Sequence, residues 1–128
     1  MRFFETSTLN YEAAKNNCKE KLQRVGLKGQ LFEPKTKAMN DKVMGIAKGF
    51  KDRAWYWIGV TDSETEGTYK YNSDSTQINF SPKWHPGYGS KGTTQNCIMI
   101  YSGASYPGDW IDYTCSDMYR HSVCMAVV

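Results

Sequence analysis

The stretch "WYWIGVTDSETEGTYKY", Trp55 to Tyr71, decides the fold class of this 128-residue chain. Its first seven residues are aromatic or β-branched apart from one glycine, as is typical of a short buried strand. The polar run that follows ends at Gly67 and has the composition of a turn. Thr68 to Tyr71 again combine aromatic and β-branched residues. The stretch therefore predicts two short strands joined by a polar turn.

The residues before this stretch change to a helical period. "NYEAAKNNCKEKL" follows a short predicted strand at the N-terminus and has Asn10 in position to cap a helix. We expect Cys18 to point into the core, because it shares one helical face with three other residues: Tyr11, Ala14 and Leu22.

A second amphipathic helix is predicted for "KAMNDKVMGIAKGF", behind a possible cap at Thr36. The preceding "GLKGQLFEPKT" is punctuated by glycine and proline and is predicted to be a loop. The apolar residues at helical spacing, expected to face the core, are Met39, Val43, Ile46, Ala47 and Phe50.

Further short strands follow the central stretch. "NCIMIY" and "HSVCMAVV" are rich in β-branched residues and bounded by turn residues. Two helices followed by several antiparallel strands indicate an α+β fold. The length suits one domain covering residues 1–128, with 40% apolar and 23% charged residues. No apolar run is long enough for a membrane span.

Charge is distributed unevenly along the chain. Residues 1–53 hold twelve Lys or Arg against six Asp or Glu, whereas residues 54–128 hold four against seven. Such asymmetry can mark a polyanion-binding surface. The lysines also lie in helical patterns, where they usually line the solvated face. We predict no nucleic-acid partner.

The glycine-rich "GYGSKGTT", Gly87 to Thr94, has the spacing of a dinucleotide-binding turn. Such a turn needs a buried strand before it and a helix after it. Here the proline-containing "SPKWHP" precedes the glycines, and a strand pattern follows them. The isolated His85 and His121 form no recognised catalytic constellation, so we expect neither a nucleotide site nor an enzyme.

Four cysteines are dispersed over the chain without the spacing of a zinc site. They suit either two disulfides in an oxidising compartment or four reduced thiols. Four cysteines allow three pairings, and their spacing does not choose between them.

Several motifs together resemble the C-type lectin-like domain family over nearly the whole chain. "YWIGVTDSETEGTYKY" resembles its central strand and turn, "WHPGYGS" its W-x-P-G segment, and "GDWIDYTC" and "HSVCMA" its last strands. The resemblance implies two helices packed on antiparallel sheets, with a long loop region. It also implies that Cys18 pairs with Cys124 and Cys97 with Cys115.

In that family the segment containing "GYGSKGTTQN" binds calcium and sugar, but this chain departs from the expected ligands. The family's acidic or amide triplet becomes Tyr88, Gly89 and Ser90, and its glutamate becomes Gln95. Its Asn-Asp pair becomes Ile111 and Asp112. Calcium requires six to eight oxygen ligands. We therefore expect no cofactor, with calcium kept as an alternative.

The family's accessory calcium position also changes. Asp62 and Glu66 remain there, but Lys91 stands where a further aspartate is expected, beside Asn96. A protonated lysine cannot donate an electron pair to a metal. Its ammonium group is either an internal counter-ion for the two carboxylates or a solvated loop residue.

The resemblance implies an extracellular or secreted recognition module that binds a glycan or glycoprotein, without calcium. Alternatives are a protein-interaction or structural domain that has lost sugar binding, and a calcium-dependent lectin with a rebuilt site. The candidate ligand-binding residues are Tyr88, Ser90, Lys91, Gln95, Asn96, Asp109, Asp112 and Tyr113.

Overall fold

The computed structural model of the protein describes residues 2–50, 53–65, 67–86, 96–103, 108–116 and 119–127. Within them the chain forms two helices and seven strands. In chain order these are β1 (Arg2–Leu9), α1 (Tyr11–Gln23), β2 (Lys28–Leu31), α2 (Lys37–Phe50), β3 (Trp55–Thr61), β4 (Lys70–Tyr71), β5 (Cys97–Tyr101), β6 (Trp110–Tyr113) and β7 (Tyr119–Val127).

The strands form one sheet in the order β1-β7-β3-β5-β6, with β2 also paired to β7 and β4 to β3. The predicted antiparallel pairing is confirmed for all of these pairs except one. Strands β3 and β7 run parallel, with Tyr56 opposite His121. A parallel pair needs a long connection, and here three strands separate β3 from β7 in the chain.

Helix α1 begins and ends with well-formed caps. The Asn10 side chain accepts a hydrogen bond of 2.9 Å from the Ala13 amide, as the predicted cap requires. Such a cap contributes about 1 kcal/mol. The helix ends in a turn at Gly26, whose φ of +78° favours glycine. The predicted core face is confirmed: Tyr11, Ala14, Cys18 and Leu22 are all buried.

Helix α2 has the predicted cap, and the prediction of its buried face is confirmed only at Val43 and Ala47. The Thr36 hydroxyl accepts a hydrogen bond of 3.1 Å from the Met39 amide. The prediction that Met39, Ile46 and Phe50 face the core is wrong, because they are 37%, 53% and 46% exposed. The residues that α2 buries are Asn40, Val43, Met44 and Ala47.

Buried hydrogen bonds explain this rotation of α2. The Asn40 carboxamide accepts a bond of 2.8 Å from the Trp110 indole and donates one of 3.2 Å to the Gly108 carbonyl. These bonds turn the helix so that a polar side chain faces β6. A buried polar residue such as Asn40 leaves no signal in the spacing of apolar residues.

The segment predicted to be a loop before α2 contains strand β2, paired with β7. Gly29 lies in this strand where a β-carbon would come within 2.5 Å of the Cys18 carbonyl oxygen. The glycine therefore permits close packing of β2 on α1 and does not mark a turn.

Two clusters of buried residues lie on the sheet. One includes Val43 and Met44 of α2 with Trp110, and the other includes Cys18 and Leu22 of α1. Trp57 is fully buried in the second cluster. None of the described helices is long and apolar enough to cross a bilayer.

Two disulfides connect these elements. Cys18 pairs with Cys124, joining α1 to β7. Cys97 pairs with Cys115, joining the start of β5 to the chain just after β6. Both predicted pairings are confirmed.

Candidate functional site

The chain enters the long loop, residues 87–95, from a position fixed on strand β6. The His85 amide donates to the Trp110 carbonyl at 2.9 Å, and the Trp110 amide donates to the Lys83 carbonyl at 2.8 Å. The rings of Trp84 and Trp110 pack edge to face with centroids 5.9 Å apart. Trp84 is partly buried against the core.

The chain leaves the long loop at a second fixed position. The Asp62 amide donates a hydrogen bond of 3.1 Å to the Asn96 carbonyl, tying the loop exit to the end of β3. The disulfide of Cys97 and Cys115 follows immediately. Four predicted ligand-binding residues lie within the loop, outside the described residues: Tyr88, Ser90, Lys91 and Gln95.

Asp62 is a buried carboxylate at the loop exit, only 2% exposed. Its Oδ2 atom accepts a hydrogen bond of 2.9 Å from the Gly67 amide, which closes the polar turn after β3. Its Oδ1 atom is buried and accepts no hydrogen bond from the described residues. Leaving such an atom unpaired costs about 1–3 kcal/mol, so a cation beside it would be favourable. Glu66 and Lys91, the predicted neighbours, lie outside the described residues.

The family's second group of calcium ligands maps to strand β6. Asp112 is buried opposite Ile98 of β5, and Ile111 packs into the core cluster beside α1. Over the described ranges, no group of three or more His, Cys, Asp or Glu residues could hold a metal ion. Asp62 and Asp112 are two carboxylates, whereas calcium takes six to eight oxygen ligands. The described residues alone therefore do not fit a calcium site.

Asp109 lies at the loop entrance and not with the other candidates. Its carboxylate is fully buried, with oxygen atoms 3.4 Å from His85 Nδ1 and 3.6 Å from Lys83 Nζ. Tyr113, which is half-buried, lies four residues further along β6, a distance of about 13 Å. Among the described residues, the candidates thus form two groups: Asp109 just before β6, and Asn96, Asp112 and Tyr113 near its far end.

A buried carboxylate that the sequence analysis missed holds the turn after β4. Glu33 is 1% exposed and accepts bonds of 2.7 Å from both the amide and the hydroxyl of Ser73. Lys35 lies 3.3 Å from the same carboxylate and 3.7 Å above the Tyr71 ring. Burial, and then the charge of Glu33, raise the pKa of Tyr71. Nothing in "LFEPK" distinguishes Glu33 from an exposed loop residue.

A cavity of about 530 Å³ lies beside the loop exit, between the start of α1 and the turn after β4. Tyr11 lines it, with a hydroxyl that is buried and without a hydrogen bond to the described residues. Burial, followed by the charges of Glu33 and Glu12, raises the pKa of Tyr11. The other lining residues are Asn10, Glu12, Lys15, Thr61, Ser63, Glu64, Tyr71, Asn72, Ser75, Cys97, Cys115 and Ser116.

Comparison with known proteins relates this chain and its fold to lectin domains. The family model described as "Lectin C-type domain" matches residues 7–126. A perlucin-like protein of Mytilus galloprovincialis is 27% identical over 123 residues, covering 95% of this chain and 73% of that protein.

Solved structures share the fold at lower sequence identity. The C-type lectin CEL-I of Cucumaria echinata superposes with a TM-score of 0.77 at 19% identity, covering 98% of this chain and 88% of that one. The carbohydrate-recognition domain of the mouse scavenger receptor C-type lectin gives a TM-score of 0.71 at 23% identity, covering 98% and 90%.

Proposed function

Because the chain belongs to the lectin C-type domain family, we propose that it binds a glycan or glycoprotein through residues 87–96 and the adjoining end of β6. One observation carries this proposal. Both ends of the long loop are fixed. At the entrance the His85 amide donates a hydrogen bond to the Trp110 carbonyl. At the exit the Asn96 carbonyl accepts one from the Asp62 amide, and the disulfide of Cys97 and Cys115 follows. Fixed ends restrict the conformations open to the loop and so reduce the conformational entropy that binding costs.

The proposed contacts are direct hydrogen bonds and aromatic stacking. Tyrosines with small polar neighbours make adaptable contact surfaces at low entropic cost. The residues proposed to contact the ligand are Tyr88, Ser90, Lys91, Gln95, Asn96 and Tyr113. Asp109 and Asp112 are buried, so we assign them a positioning role, with Asp109 acting through Lys83 and His85.

We propose that this binding does not require calcium. Tyr88, Gln95 and Ile111 contribute no carboxylate at the family's ligand positions, and the two described carboxylates do not complete a calcium shell. The Oδ1 atom of Asp62 is buried and accepts no hydrogen bond from the described residues. This supports the counter-ion interpretation, in which the Lys91 ammonium takes the place of a metal. Two disulfides support a secreted or extracellular location, because disulfides persist in oxidising compartments.

A glycan array probed in calcium and again in chelator tests the proposal. We expect binding to a defined set of glycans with equal signal in both buffers. A signal that disappears in chelator would show a calcium-dependent lectin with a rebuilt site. Silence across the array in both buffers would contradict glycan binding.

A second candidate is a protein-interaction domain that has lost sugar binding. The observation that favours it is the exposed apolar stripe on α2, formed by Met39, Ile46 and Phe50. This candidate predicts that the protein binds no glycan on the array. It also predicts that the protein binds a protein partner and that Ile46→Ser weakens this binding. Glycan binding unaffected by that substitution would favour the first candidate.

A further inference from the structure

The turn that follows α1 exposes two large apolar side chains next to each other. Val25 is 56% exposed and Leu27 is 44% exposed. Single exposed apolar residues are ordinary on a protein surface, but here two lie on either side of Gly26.

Backbone hydrogen bonds hold this turn in one conformation. The amides of Val25 and Leu27 both donate to the Leu22 carbonyl, at 3.1 and 2.9 Å, and the Gly26 amide donates to Gln23 at 3.0 Å. Gly26 has a φ of +78°, which few other residues adopt. The apolar pair is therefore presented by a fixed turn.

Most of the charged residues around this turn are basic. Residues 19–28 contain four cations, Lys19, Lys21, Arg24 and Lys28, against the single acid Glu20. Within the part of the chain that the structure describes, none of the four lies in ion-pair contact with a carboxylate. Their charge is thus available to an external anion.

A cavity of about 390 Å³ lies beside Leu27, one member of the apolar pair. Leu27 forms part of its wall, together with Lys19 and Lys28. The Leu27 side chain and two lysine residues therefore line the same concave region. This arrangement suits a molecule with an anionic head and an apolar body.

We propose that this turn docks on the surface of a bilayer that contains anionic lipids. Val25 and Leu27 enter the boundary between headgroups and acyl chains, while Lys19, Arg24 and Lys28 contact the headgroups. A bilayer fits both features at once, because it offers negative charge and an apolar interior without requiring a complementary shape. The charge of an acidic protein would complement the cations, but it would not by itself provide an apolar environment for Val25 and Leu27.

The docking surface lies at the opposite end of α1 from the long loop. The Tyr11 amide, at the start of α1, is bound to the Cys115 carbonyl beside the loop exit. The 13 residues of α1 extend about 20 Å from there to the turn. A bilayer at the turn leaves the loop region accessible, so this inference does not depend on the glycan proposal.

Vesicle co-sedimentation of the whole chain tests the inference. The two lipid preparations are phosphatidylcholine alone and phosphatidylcholine mixed with phosphatidylglycerol. We expect binding only to the mixed vesicles, weakened by added salt. The double variant Val25→Ser/Leu27→Ser should bind about tenfold more weakly. The double variant Lys19→Gln/Lys28→Gln should lose about fivefold per cation removed.

Ile46→Ser is the matched control, because Ile46 is 53% exposed but lies on α2. It should bind like the wild type, and far-ultraviolet circular dichroism should show all variants folded. Equal binding to both vesicle preparations would overturn the inference. So would unchanged binding by the Val25→Ser/Leu27→Ser variant, which would indicate a general polyanion surface.

Discussion

The Trp110 indole donates a 2.8 Å hydrogen bond to the Asn40 carboxamide. This bond joins helix α2 to strand β6, to which the chain is bonded where it enters the long loop. Both residues are buried, Trp110 completely. The Asn40 amide group also donates to the Gly108 carbonyl at 3.2 Å. One polar side chain thus positions both α2 and the start of β6.

Replacing Asn40 with alanine should lower the free energy of unfolding by about 2–3 kcal/mol. The substitution leaves the Trp110 indole and the Gly108 carbonyl buried without partners, and each such group costs about 1–3 kcal/mol. Urea unfolding followed by tryptophan fluorescence measures the change. Asn16→Ala, on the exposed face of α1, is the control and should be neutral or slightly stabilising.

Glu33→Gln should lower the free energy of unfolding by about 2 kcal/mol. The buried carboxylate accepts two hydrogen bonds from Ser73, and bonds to a charged group contribute about 1.5–3 kcal/mol. Glu64→Gln is the control, because the Glu64 carboxylate is 56% exposed and its ion pair with Lys70 should contribute little. An equal effect of the two substitutions in chemical denaturation would refute the role given to Glu33.

Removing the disulfide between Cys18 and Cys124 should cost more stability than removing the other one. On the chain-entropy account, closing a loop of 106 residues stabilises by about 4–5 kcal/mol, and closing one of 18 residues by about 3 kcal/mol. The paired alanine variants, compared by guanidinium unfolding, test this order. The reverse order would mean that the loop-base disulfide does more than restrict the unfolded chain.

Stability should fall above about pH 10, and Tyr11→Phe should reduce that fall. Burial raises the pKa of Tyr11 above its ordinary value of 10.0, so the unfolded chain loses this proton first. The stability contribution is complete below pH 10 and declines above it by about 1.4 kcal/mol per pH unit. At pH 7 the variant should be neutral or stabilised, because the Tyr11 hydroxyl has no hydrogen bond to the described residues. Equal alkaline loss in wild type and variant would contradict this assignment.

Local signals in the sequence predicted much of the fold. Asn10 and Thr36 are caps whose chemistry acts within one turn, and the buried face of α1 follows from its apolar spacing. The predictions that were wrong concern features that depend on contacts between residues far apart in the sequence. The face of α2 depends on a bond from Asn40 to Trp110, seventy residues away. Strand β2 depends on close packing of Gly29 against Cys18.

The candidate site was less predictable for the same reason. The family resemblance gave the loop and its cysteines, but Asp109 and Tyr113 proved to lie at opposite ends of β6. Four residues of extended chain separate them, whereas the pairing of Tyr113 with Cys97 at the loop exit is not visible in single residues. Glu33, equally, acts on Ser73 forty residues later.

We propose that the long loop binds its ligand without calcium. Titration calorimetry with the strongest glycan from the array, run once in millimolar calcium and once in chelator, tests it most directly. We predict the same dissociation constant in both buffers. Binding present in calcium and abolished in chelator would contradict the claim and would require oxygen ligands from the loop residues 87–95.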